Sequence, residues 1–218
     1  MSTVLSLDWH PNNVLSAAGS ADMKARVFSA YIKGVDQKPV PSVWGERLSF
    51  NTLCGEFTNP CGGWIHDVAL SPSGDGIAWL GHDASLSIAY PGHDYLVNIR
   101  TANLPYLNMI WAAEDKMIAA GHDCCPVLFQ GDADGWKFGK SLDEGQDCKE
   151  KAVSSVFNKF RQMDIRGSSS GTNQSTELKT THQNSIIQIR SYSGVRKDVH
   201  QISTCAKDGQ LVVWDLSL

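Results

Sequence analysis

Three Gly-His-Asp triplets, at residues 81–83, 92–94 and 121–123, are the part of this sequence best equipped for chemistry. An imidazole beside a carboxylate is raw material for a zinc site or an acid–base pair. His82, His93 and His122 together would make a metal-dependent hydrolase. Two of the triplets, however, occupy the same turn in successive strand–turn–strand units, which sets them one repeat apart rather than around one ion. An aspartate so placed more simply accepts backbone hydrogen bonds and holds the turn. Asp132-Ala133-Asp134-Gly135 opens like a calcium loop but lacks the later ligands and the terminal glutamate, so it reads as a hairpin turn. With no Gly-x-Ser-x-Gly elbow, phosphate loop or nucleotide fingerprint, no catalytic residue, metal or cofactor is expected.

Composition narrows the field further. The chain has 218 residues, 42% of them hydrophobic, enough to build a core without staples. A net charge of -4 gives no broad basic field, so neither nucleic acid nor an anionic membrane is expected as a partner. Six cysteines (Cys54, Cys61, Cys124, Cys125, Cys148, Cys205) include no Cys-x-x-Cys pair and suggest reduced thiols in the cytosol. The first nine residues lack a basic segment followed by an apolar run, and no window is apolar for long enough to span a bilayer.

The elements that carry the triplets are short strands. Leu5, Leu7 and Trp9 alternate with polar residues, the period of a half-buried strand. A turn at residues 10–13, a strand from Val14, a second turn at Gly19 to Asp22 and a strand from Ala25 complete a meander. The pattern returns from Trp64, from Tyr106 and from Ile186. In the last copy Asp208-Gly209-Gln210 turns into a strand ending Trp214-Asp215. Six positions separate the turn aspartate from an aromatic residue in Asp22/Phe28, Asp123/Phe129 and Asp208/Trp214, whereas Asp83 leads to Ala89. Asp22, Asp83, Asp123 and Asp208 are thus the structural turn residues of four meanders. The interval from Asp83 to Asp123 is 40 residues, the length of a WD-type propeller blade.

Blades are expected near residues 2–33, 63–100, 104–140 and 184–216, with insertions at 34–62 and 141–182. The first insertion is rich in Pro and Gly, with a strand near Leu48 to Leu53. The second ends in a Ser/Gly/Thr-rich tether from Gly167. Its first half sets Val153, Val156, Phe157, Phe160 and Met163 on one helical stripe, with Lys159 and Arg161 beside it. A lone helix of that length is marginal in water, so something must cover the stripe. Burying five large apolar side chains is worth about 10 kcal/mol gross. Either the helix folds back on its own sheets or it lies in a groove on another protein. Two phenylalanines next to a flexible leash favour the groove.

Leu7-Asp8-Trp9-His10-Pro11-Asn12-Asn13-Val14-Leu15, Arg26-Val27-Phe28-Ser29-Ala30-Tyr31-Ile32-Lys33 and Ala119-Ala120-Gly121-His122-Asp123-Cys124 closely resemble the WD-repeat subunit 1 family of the actin-related protein 2/3 complex. Phe157-Asn158-Lys159-Phe160-Arg161-Gln162-Met163-Asp164 resembles the protruding insert of that family. The resemblance implies an all-β WD-repeat β-propeller, here an incomplete arc of about four blades matching the C-terminal portion of a family member, with one protruding amphipathic helix. It implies a cytoplasmic, non-catalytic scaffold in the complex that nucleates branched actin filaments. The implied partners are the other subunits, the actin filament and nucleation-promoting factors. Val153, Val156, Phe157, Phe160 and Met163 would be the apolar actin contacts, flanked by Lys159 and Arg161. On this reading the strands at Val4 to Trp9 and Leu211 to Trp214 are exposed edges. A generic adaptor presenting another client protein is the competing reading.

Overall fold

A computed structural model describes residues 2–46, 48–92, 96–143 and 178–216 of the chain. Among the described residues, fifteen strands form four antiparallel sheets, each a meander in sequence order. The first contains β1 (Val4–Trp9), β2 (Leu15–Ser20), β3 (Lys24–Ser29) and β4 (Leu53–Thr58). The second contains β5 (Ile65–Leu70), β6 (Ile77–Gly81), β7 (Ser85–Ala89) and β8 (Leu96–Arg100). The third contains β9 (Tyr106–Ala113), β10 (Lys116–Gly121), β11 (Val127–Asp132) and β12 (Gly135–Ser141). The fourth has three strands among the described residues: β13 (Ile186–Val195), β14 (Asp198–Ala206) and β15 (Leu211–Asp215).

The sheets stack face to face in chain order, and each interface is a separate apolar cluster. Leu15, Ala17 and Val27 of the first sheet meet Ile65, Val68 and Trp79 of the second. Leu80, Leu86 and Ile88 meet Tyr106, Met117 and Phe129 of the third. Ile118 and Ala120 meet Ile186, Ile189, Ile202 and Trp214 of the fourth. The second and third sheets therefore bury both faces, and β6 and β7 are buried at every position. Sheets buried on two sides read as continuous apolar runs, whereas one-sided sheets alternate. In the terminal sheets β1 and β15 are less covered, with Val4, Leu5, Leu7 and Trp9 of β1 and Leu211 and Val213 of β15 exposed, although Trp214 is buried.

Close stacking sets side-chain size at Gly19. A Cβ there would lie 2.6 Å from both Ile65 and Val68, so only glycine lets β2 approach β5 this closely. The first strands of the four sheets, β1, β5, β9 and β13, lie along one side of the stack. From the turn between β13 and β14, Arg196 donates to the Trp9 carbonyl at 2.9 Å and to Asp8 at 3.2 Å. The last sheet is thereby tied to the first across a cavity of about 310 Å³.

The segment read as a first insertion, 34–62, needs correction. Its strand falls at Leu53–Thr58, not near Leu48 to Leu53, and it is the outer strand of the first sheet. The sequence hides it because its burial is partial and Gly55 interrupts the apolar pattern. Its partner signal is electrostatic: Glu56 pairs with Lys24 and with Arg26 at 2.7 Å, both on β3. The excursion within 141–182 leaves and returns at a clamp, where Asp143 accepts from the Thr181 backbone N–H at 2.7 Å. Residues 144–177 lie outside the described structure, and the expected helix falls among them.

Candidate functional site

Asp22, Asp83, Asp123 and Asp208 occupy equivalent turns between the second and third strands of their sheets. In each, the following residue has positive φ: Met23 (66), Ala84 (62), Cys124 (63) and Gly209 (83). In each, that residue's N–H also closes the turn on the carbonyl three positions earlier: Ser20, Gly81, Gly121 and Ala206. The aspartate then fastens the segment that leads into its own sheet. Asp83 accepts from Asn59 Nδ2 at 3.1 Å, Asp123 from the Leu104 N–H at 2.6 Å, and Asp208 from the Gln183 N–H at 2.6 Å. Asp22 takes the Ser2 backbone N–H in the same way and is held in addition by Arg26, whose guanidinium donates at 2.9 Å and, as the largest cause, keeps the carboxyl well below the usual range.

The fourth sheet elaborates this device. Trp214 Nε1–H donates to Thr204 Oγ1 at 2.8 Å, Thr204 Oγ1 meets His182 Nε2 at 2.7 Å, and His182 Nδ1 meets Asp208 Oδ2 at 3.3 Å. The carboxylate only accepts, so the network assigns the imidazole proton to Nδ1 and leaves Nε2 to accept from the threonine. Burial works to raise the Asp208 pKa, but the Gln210 and Gln183 N–H groups, together with His182, bring it below normal. The connectivity matches a hydroxyl–imidazole–carboxylate relay for nucleophilic catalysis. Thr204 is 1% exposed and its oxygen already accepts from the indole, so no substrate carbonyl can reach it. The relay locks β14 and β15 to the loop before β13. His182 escapes the sequence reading because it was counted within the insertion; its signal is its position, since Asn59 precedes Asp83 at a similar distance.

A second repeated device runs along the first strands. The third residue of each accepts the N–H of the fourth residue of the next: Ser6 Oγ from Val68 at 3.3 Å, Asp67 from Met109 at 2.8 Å, and Asn108 from Ile189 at 2.8 Å. Ser6 and Asn108 also donate to Asp67, at 2.5 and 2.8 Å. Burial nonetheless pushes the Asp67 pKa up to about 6, against these donors. These polar side chains fix the register between sheets that apolar packing alone would let slide.

The histidine triplets are separated by this arrangement. His82 faces His66 at 2.8 Å, while His122 meets Ser185 at 3.0 Å. His93 lies outside the described residues. Among the described residues, no group of three or more His, Cys, Asp or Glu side chains is arranged to hold a metal ion. The expected contact residues Val153, Val156, Phe157, Lys159, Phe160, Arg161 and Met163 also lie outside the described residues. A separate apolar groove of about 880 Å³ opens between Tyr31 and Phe50, with Lys33, Lys38 and Glu46 at its walls.

Repeated antiparallel meanders, stacked through their faces and closed by matching aspartate turns, have the arrangement of β-propeller blades. Residues 1–29 match the family described as WD domain, G-beta repeat. Across almost its whole length the chain is a homologue of actin-related protein 2/3 complex subunit 1. It is 43% identical over 236 residues to that subunit of Schizosaccharomyces pombe, covering 99% of this chain and 61% of the relative. It is 45% identical to subunit 1A-B of Xenopus laevis, covering 98% and 58%. The Saccharomyces cerevisiae subunit 1 is 32% identical, with 99% and 60% covered. The chain thus spans 58–61% of the length of these curated relatives.

Proposed function

We propose that this chain is an architectural, non-catalytic part of the complex that nucleates branched actin filaments, at the cytoplasmic actin cytoskeleton. The observation that carries the reading is the 43% identity over 99% of the chain to a subunit 1 of the actin-related protein 2/3 complex. The fold supports it: the polar groups that resemble catalytic material are consumed in holding turns and strands together. The stacked sheets are an arc of propeller blades that docks against other subunits, and the stretch from Val153 to Met163 is its actin-facing projection. Lys159 and Arg161 there suit an acidic surface on actin, and nucleation-promoting factors are further partners of the assembled complex.

Affinity purification of the tagged chain from its own cells tests membership directly. Actin-related proteins should co-purify, and their consistent absence would overturn the assignment. Within the complex, changing Phe157 and Phe160 to Ala should reduce co-sedimentation with filaments while leaving subunit recovery intact. Unchanged sedimentation would remove this segment from actin binding.

A further inference from the structure

The β13–β14 hairpin reaches further than its counterparts. Its strands have ten and nine residues, against six in both β1 and β5. The pairing shifts register at Ser191/Ser193 and again at Ser193/Gly194, and bulges of this kind bend the strand that carries them. Gly194 holds φ at 100, and a Cβ there would lie 2.3 Å from the Asp198 carbonyl, so glycine is what closes the tip. Tyr192 and Val195 are exposed, while Arg196 at the tip turns back over the cavity between the first strands.

We propose that Arg196 is a releasable latch that sets how far the arc of sheets opens. Its socket is built from the ends of β1 and β5. Nη1 donates to the Trp9 carbonyl at 2.9 Å, and Nη2 donates to Asp8 Oδ2 at 3.2 Å and to the Leu70 carbonyl at 3.4 Å. Asp8 Oδ2 also accepts the Leu70 N–H at 2.7 Å, so the socket keeps its shape when the arginine leaves. The planar fork lets one side chain hold three acceptors on two sheets, whereas a lysine would act only as a point charge.

No apolar packing backs this contact. Among the described residues the apolar clusters join the first sheet to the second, the second to the third and the third to the fourth, and none joins the fourth to the first. A small rotation at each of those interfaces therefore adds up between the end sheets, as in shear motions of packed elements. The Arg196 and Asp8 side chains are 42% and 29% exposed, so water and salt compete for the pair. In 1 M salt the screening length falls to about 3 Å, the length of the contact itself. The closed arc is the low-salt state, and high salt releases it.

The test is double electron–electron resonance on the full chain, with spin-labelled unnatural amino acids at Leu53 and Leu211, exposed positions on the first and last sheets. In low salt the wild type should give one narrow distance distribution, and in about 1 M sodium chloride its mean should lengthen by several ångströms. Arg196→Gln should show the longer distance at every salt concentration. Arg196→Lys, which keeps the charge and loses the fork, should fall between the two. Asp8→Asn should weaken the salt response, and the double variant should open no further than Arg196→Gln alone. Lys197→Gln, which removes the neighbouring charge outside the socket, should leave the distance unchanged. A chain with Arg196→Gln that has native circular dichroism and the wild-type distance in low salt, or a wild type whose distance ignores salt, would overturn the proposal.

Discussion

Asp67 offers the sharpest test of how the sheets are joined. Its carboxylate accepts from Ser6, Asn108 and two backbone N–H groups, yet burial dominates and raises its pKa from 3.8 to about 6. A carboxyl whose pKa is higher folded than unfolded favours the fold while protonated in both states, and opposes it once the pH exceeds the folded value. Its contribution is therefore most favourable below about pH 4 and is lost as the pH rises to about 6. Two pKa units correspond to about 3 kcal/mol. Asp67→Asn removes the titration and keeps the shape. Chemical denaturation of both proteins across this window should show the stability difference, variant minus wild type, rising by about 3 kcal/mol from pH 4 to pH 7. Taking the difference cancels every other titrating group the two proteins share. A flat difference, or one that falls with pH, would mean that the four donors outweigh desolvation, and the account of Asp67 would be wrong.

Two further outcomes test the turn sites. Thr204→Val removes the oxygen shared by His182 and Trp214 and leaves two buried polar groups without it, so unfolding free energy should drop by about 2–4 kcal/mol, measured by denaturant titration. Met23 is exposed and holds φ at 66 in the turn after Asp22, so Met23→Gly should raise stability by about 1 kcal/mol in a thermal melt.

Much of this protein is legible without coordinates because strand alternation and turn chemistry are local. The meanders are read from apolar alternation and from turn residues such as Asp22, Asp83, Asp123 and Asp208; the positive φ of the residue after each aspartate is seen only in the structure. The resemblance carried by residues 7–15, 26–33 and 119–124 agrees with the homology to the subunit 1 relatives. The strand β4 is not legible in the sequence, because what recruits it is the pairing of Glu56 with Lys24 and Arg26 some thirty positions away, which leaves no periodic trace.

The sequence by itself determined the kind of element, the turns and the family, since each depends on neighbours along the chain. Only the tertiary structure decided what the polar residues are for. His182 next to Thr204 and Asp208 has the composition of a reactive relay, and burial beside Trp214 makes it a fastener. His82 stands out along the chain and His66 does not, and the two face each other only after β5 and β6 pair. Distance through space and exclusion of water determine what such a group can do, and neither quantity exists until the sheets have stacked.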